Sequence, residues 1–191
     1  MKSKFTYVLL LSALLGVTGC TSIISATTDE PIDLDPDRRT FGTSIDDSQI
    51  ETIAAVNLNN VHPSLEDSPI SVHSYNRVVL LTGQVKNTEM RELAGKTVTK
   101  MTTVRQVHNE LEIAAPVGFF STVNDAWITS KVKTKLAASD DVRSNRVEVI
   151  TENSKVYFMG MLPRAEAEHA ARIASETGGV QKVVLAIEYT D

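Results

Sequence analysis

The feature that most constrains this chain is that it repeats itself. Asp47-Ser48-Gln49-Ile50 lines up with Asp125-Ala126-Trp127-Ile128, and Leu58 with Leu136. Val79-Leu80-Leu81-Thr82-Gly83 lines up with Val156-Tyr157-Phe158-Met159-Gly160, and Val104-Arg105-Gln106-Val107 with Val180-Gln181-Lys182-Val183. The offset drifts only from 78 through 77 to 76, so two copies of one supersecondary unit fill residues 46–114 and 122–190. A unit of this size buries a modest core, and docking of the two copies is expected to add stability.

Each copy reads in the same order. In the second, Asn124 or Asp125 suits a helix cap, and Ile128, Val132 and Leu136 mark the core stripe of a helix reaching about Ala138. Arg146 to Thr151 and Lys155 to Leu162 flank the turn Glu152-Asn153-Ser154 and read as a hairpin. Arg164 to about Thr177 is an Ala-rich helix stopped by Gly178-Gly179, and Val180 to Tyr189 is a Val-rich final strand. The first copy predicts a helix near 47–59, strands near 70–75 and 78–85, a helix near 88–100 and a strand near 106–113. The order α-β-β-α-β predicts an α+β fold, a mixed sheet covered by two helices on one face.

The residues before the repeat are an address and a tether. Lys2 and Lys4 precede a short apolar run, Tyr7 to Leu15, too brief for a comfortable membrane span. Val17-Thr18-Gly19-Cys20 follows and resembles a bacterial lipobox. That resemblance implies cleavage after residue 19 and a diacylglycerol on Cys20, with acyl chains rather than a transmembrane helix holding the mature chain. Thr21, not Asp, follows the cysteine, which implies sorting to the outer membrane with the folded part in the periplasm. Residues 20–45, rich in Ser, Thr, Asp and Pro, read as a lipidated flexible linker. Asp33, Asp35 and Asp37 imitate half an EF-hand loop, but Arg38 and Ser44 stand where its glycine and glutamate belong, so no calcium site is expected.

Composition excludes several functions. Cys20 is the only cysteine, so neither a disulfide framework nor a Cys-rich zinc site is available. The formal charge is −5, and loss of Lys2 and Lys4 leaves 17 basic against 24 acidic residues, which disfavours nucleic acid as a partner. Catalytic patterns are missing too. His62, His73, His108 and His169 lack metal-ligand spacing, and no serine sits in a nucleophile elbow. Glu166-Ala167-Glu168-His169 reads as a solvated helix face, and Asp46-Asp47 and Asp140-Asp141 as residues at helix ends. No enzyme activity, cofactor or metal is expected.

What remains is an asymmetry between the copies. One position ahead of the core stripe, Trp127, Lys131 and Lys135 recur at a spacing of four, with Lys133 on an exposed flank. The matching residues of the first copy are Gln49, Ile53 and Asn57. An indole beside three ammonium groups suits the headgroup boundary of an anionic bilayer, where each lysine contributes about 1 kcal/mol. The same residues also suit packing between the copies with a solvated lysine face. Phe119 and Phe120, in the connector Pro116–Ser121, fit either a membrane contact or an interdomain contact.

The apolar strands ending at Gly83 and Gly160, the lipobox, the segment Asp37-Arg38-Arg39-Thr40-Phe41-Gly42-Thr43 with Asp46-Asp47, and the helix Asn124-Asp125-Ala126-Trp127-Ile128-Thr129-Ser130-Lys131-Val132-Lys133 together resemble the dual BON-domain outer-membrane lipoproteins of Gram-negative bacteria, the DolP type. The resemblance spans nearly the whole chain. It implies a non-enzymatic protein that binds anionic phospholipid through the first helix of its second BON domain, concentrates at division sites and supports outer-membrane integrity. The residues implied are Asp125, Trp127, Ile128, Ser130, Lys131, Val132, Lys133 and Lys135. The alternative partner is protein: an outer-membrane assembly factor or an envelope enzyme.

Overall fold

A computed structural model describes residues 39–116 and 118–191. Cys20, the signal sequence and the linker up to residue 38 lie outside the described residues. So do Val117 and the side chains of Phe119 and Phe120.

The first copy opens with helix α1 (Phe41–Val61), then a single turn, α2 (Pro63–Glu66). The hairpin β1 (Ile70–Tyr75) and β2 (Val78–Val85) follows, then α3 (Thr88–Thr99), β3 (Gln106–Asn109) and β4 (Glu112–Ile113). The second copy comprises α4 (Phe119–Ala137), a 3-10 turn at Ser144–Arg146, β5 (Val147–Glu152), β6 (Lys155–Leu162), α5 (Arg164–Ser175) and β7 (Lys182–Tyr189). In each copy the hairpin is antiparallel and the last strand pairs in parallel with the hairpin's second strand, which is therefore central. Both copies thus have the expected α-β-β-α-β order and mixed sheet.

Three details differ from the sequence reading. Both first helices start early. α1 begins inside the stretch expected as linker, because the Thr40 hydroxyl accepts the Thr43 N–H at 3.1 Å and caps it there. α4 begins at Phe119, after the extended residue Gly118, so Asn124 and Asp125 lie within the helix and cap nothing. Phe119 and Phe120 are helical, not part of a connector. The last strand of the first copy, expected to be continuous, breaks between β3 and β4. There the Asn109 amide donates to the Arg91 carbonyl at 2.8 Å and accepts the Leu111 N–H at 3.4 Å, while Leu111 turns into the core.

Each sheet buries both faces. The helix side of the first copy packs Ile50, Ala54 and Leu58 of α1 and Ala94 and Val98 of α3 against Val79, Leu81 and Val85. The second repeats the scheme with Ile128, Val132, Leu136, Ala170 and Ala174 over Val149, Val156 and Phe158. The opposite sheet faces meet each other: Tyr75, Val78 and Leu80 pack against Ile150, Tyr157, Met159 and Ala186. Burial in this shared layer raises the pKa of both Tyr75 and Tyr157.

The rim of that layer is built crosswise. The hairpin-turn residue Asn76 donates to Glu188 of β7 at 2.8 Å, and its counterpart Asn153 donates to Glu112 of β4 at 3.4 Å. Arg105 adds a two-pronged ion pair to Glu188, the nearer contact at 2.8 Å, and Lys155 pairs with Glu112. The copies are therefore docked in an approximately two-fold relation that fixes how α4 is carried.

Candidate membrane-binding surface

Helix α4 is held from beneath by its core stripe. Ile128 and Val132 are fully buried. Asp125 is buried as well, and its carboxylate accepts both turn N–H groups of the β5–β6 hairpin, from Asn153 at 2.7 Å and from Ser154 at 2.8 Å. Those turn residues have φ of +50° and +60°, the left-handed geometry of a tight hairpin turn whose N–H groups both point one way. These three residues, expected among the lipid contacts, are corrected: they have no surface to offer a ligand, and they fix the helix on the sheet.

The solvent side is different. Trp127 is 65% exposed and Val123 50%. With Ser130 and Thr134, both exposed, they form a ridge at helical spacing of three and four. Lys131 lies on one flank, its ammonium 5.9 Å from the Trp127 ring centroid, and donates to the Gly178 carbonyl. Lys135 follows it and donates to the Glu176 carbonyl at 3.3 Å. Both ammonium groups thus sit at carbonyls just past the end of α5, where the helix dipole favours cations. Lys133 lies on the other flank, above a groove of about 390 Å³ between α4 and the start of β5. Lysines therefore bracket the ridge, and the one acid in α4, Asp125, is buried under it.

The first copy supplies the contrast. α1 contains no lysine or arginine. Its outer side carries Phe41 at 83% exposure, with Ile45, Ile53 and Val56 about half exposed. Asp47 occupies the place of Asp125 and clamps the first hairpin turn through the N–H groups of Asn76 and Arg77, at 2.9 and 2.8 Å. Asp47 therefore sits inside α1, not at its end, which corrects the reading of the Asp46-Asp47 pair.

The Glu166–His169 segment joins two elements. The Glu166 carboxylate binds the Arg143 backbone N–H at 2.5 Å and its guanidinium at 2.8 Å, tying the loop before β5 to α5. Among the described residues no group of three or more His, Cys, Asp or Glu is placed to hold a metal ion. Among them, too, no helix is long and apolar enough to cross a membrane.

The comparison with known proteins agrees with the repeat. The BON domain family model matches residues 46–115 and again 124–191. The chain belongs to the BON-domain family, as a dual-BON, DolP-like member. It is 31% identical to the outer membrane lipoprotein DolP of Haemophilus influenzae, over 96% of this chain and 95% of that one. It is 36% identical to a 21 kDa hemolysin of Actinobacillus pleuropneumoniae, over 80% of this chain and 79% of the relative. The osmotically-inducible protein Y of Escherichia coli is 29% identical, over 78% of this chain and 76% of its own length. In a BON frame the clamping aspartates and the hairpin turns are shared by both domains, whereas Trp127 and the lysines belong to the second alone.

Sequence reasoning missed two things. The Asp47 and Asp125 clamps were signalled by the alignment of an aspartate and of a turn asparagine, Asn76 with Asn153, in both copies. The groove beside Lys133 had no comparable signal, because Ser144 and Asn145 lie in an irregular turn without periodicity.

Proposed function

We propose that this chain is a non-enzymatic outer-membrane lipoprotein, anchored through acyl chains on Cys20 and facing the periplasm, whose second BON domain binds anionic phospholipid along the ridge of α4. The carrying observation is the placement of exposed Trp127 between Lys131 and Lys133, on a helix whose lone acid is buried. The indole offers an apolar body with one N–H donor, and the lysines offer charge to phosphate. The docking is weak and reversible, and the anchor supplies the second attachment. In this role the domain reads lipid charge, which biases where the protein gathers, division sites included, and supports envelope integrity.

The test is sedimentation of the chain from residue 21 onward with vesicles of phosphatidylglycerol or of phosphatidylcholine. Binding to the anionic vesicles alone, falling with added salt, is the expected result. A second reading, docking of an outer-membrane assembly factor or envelope enzyme, draws on the exposed apolar side of α1, with Phe41, Ile45, Ile53 and Val56. Equal binding to both vesicle types, or to neither, favours that reading.

A further inference from the structure

We propose that β7 is a pairing edge for a second copy of this chain: two β7 strands meet antiparallel across a two-fold axis at Leu185 and join two three-stranded sheets into one of six strands. The seam lies on the last strand, not on α4, and it stands apart from how α4 meets lipid.

An edge strand presents unpaired N–H and C=O groups, and proteins blunt such edges with charges, breaks or covering side chains. Among the described residues, three of the four sheet edges are treated in this way. At β1 the Ser74 N–H donates to the Glu51 carboxylate at 2.8 Å, and the Ser74 carbonyl accepts the Arg39 guanidinium at 3.4 Å. The edge formed by β3 and β4 is broken into two short pieces, and the Asn109 carbonyl there accepts the Arg91 guanidinium at 3.0 Å. β5 is six residues long and carries Glu148 within it.

β7 has none of these devices. It runs eight residues without a break, and Val183 to Ile187 is apolar throughout. It pairs with β6 along its whole length. The flanking N–H groups turn to that side too, Gln181 donating to the Ser154 carbonyl at 2.8 Å and Thr190 to the Leu162 carbonyl at 3.2 Å. Among the described residues no strand pairs with its other side. Val183, Val184, Leu185 and Ile187 are left half-buried, whereas β6 is buried from Val156 to Gly160.

The charges select the occupant. Lys182 and Glu188 stand near opposite ends of β7. The period of two puts them on one face, the face that sets Ala186 into the layer shared with the first copy. Antiparallel pairing about Leu185 places Lys182 of one copy opposite Glu188 of the other at both ends of the seam, whereas parallel pairing would oppose like charges. Between them Val183 meets Ile187 and Val184 meets Ala186. The edge is thus complementary to itself, as a two-fold interface requires. The Glu188 carboxylate, with about four acceptor positions, has room for a lysine beside Asn76 and Arg105.

The experiment uses the chain from residue 21 onward, which retains the compact unit Pro36–Asp191 and lacks Cys20, the only cysteine. Sedimentation velocity over a concentration series is expected to show a dimer. Its affinity is expected to fall about tenfold in Lys182→Glu, which opposes two carboxylates at each end of the seam. Lys182 is exposed, so this variant should melt like the wild type. Under mild oxidation Leu185→Cys, on the axis, is expected to cross-link to its own copy, and Ile113→Cys, 53% exposed at the end of β4, is not.

A chain that stays monomeric, with Leu185→Cys uncross-linked, overturns the proposal and leaves the edge to a strand of another protein. A dimer of unchanged affinity in Lys182→Glu overturns it as well. So does cross-linking of Ile113→Cys as fast as that of Leu185→Cys, because the contact then lies elsewhere.

Discussion

Asp47 and Asp125 hold the same post in the two copies: each is a buried carboxylate, about one turn ahead of the core stripe of its domain's first helix, that accepts both N–H groups of the adjoining hairpin turn. The bond locks helix to hairpin in each domain. Asp47 additionally accepts the Ser74 hydroxyl at 2.8 Å and faces Arg39 at 3.4 Å. Removing either carboxylate leaves turn N–H groups without an acceptor. Asp125→Ala is expected to cost about 2 kcal/mol, and Asp47→Ala more, about 3 kcal/mol, from the extra partners. Urea unfolding of the two variants checks both the loss and its order.

The turns themselves carry strain. Ser154 has φ of +60°, a region costly for any side chain but cheap for glycine. Ser154→Gly is expected to raise stability by about 0.5–1 kcal/mol, the lost Asn124 contact at 3.2 Å being exposed and weak. A thermal melt gives the sign directly.

Gly160 lies within the apolar strand β6 where a side chain has no room. A Cβ there would overlap the Arg146 carbonyl of the neighbouring strand entry, and a Cβ at Gly83 would overlap the Pro69 carbonyl in the same way. Gly160→Ala is expected to cost about 3 kcal/mol. Gly178→Ala, with open space around it, is expected to stay within about 0.5 kcal/mol. Parallel denaturation curves separate the two outcomes.

Docking of the two domains is pH-dependent through Glu188. Hydrogen bonding from Arg105 holds its carboxyl below the ordinary carboxylate range, with Asn76 assisting and burial opposing. A folded-state pKa below the unfolded one means the contribution is full above the ordinary Glu value, about 4.3, and is lost as pH falls through the folded value. Glu188→Gln is therefore expected to lower Tm by about 2–4 °C at neutral pH, the worth of one rim ion pair. The two melting temperatures should converge as pH falls through the folded-state value, where the wild-type carboxyl is protonated as well.

Much of this was legible in the residues. The strands Ile70–Tyr75 and Val78–Val85 fall where the plan of the second copy, carried over by the repeat, put them, and the repeat alone dictated two like domains. The core stripes of α1 and α4 were legible from fours, but their beginnings were not, since Phe41–Ile45 and Phe119–Val123 carry no charge pattern to mark a helical face. The break at Leu111 depends on the Asn109 side chain reaching Arg91, a contact distant in sequence. Burial of β2 along its whole length is what seats one sheet on the other, and the unbroken run Val78-Val79-Leu80-Leu81 was its trace in the sequence. At the site, the exposure of Trp127 and the flanking lysines follow from the helical wheel. The burial of Asp125, Ile128 and Val132 follows from the same wheel, which puts them on the opposite side.

The central claim concerns Trp127, the only tryptophan, so its fluorescence reports the ridge alone. The chain from residue 21 onward is titrated with anionic and with neutral micelles at low and at high salt. The account predicts a blue shift with anionic micelles only, reversed by salt, and abolished when Lys131, Lys133 and Lys135 become Glu, since each lysine contributes about 1 kcal/mol. A Trp127 spectrum unchanged by anionic micelles at low salt would contradict it and would leave this helix as a surface for protein.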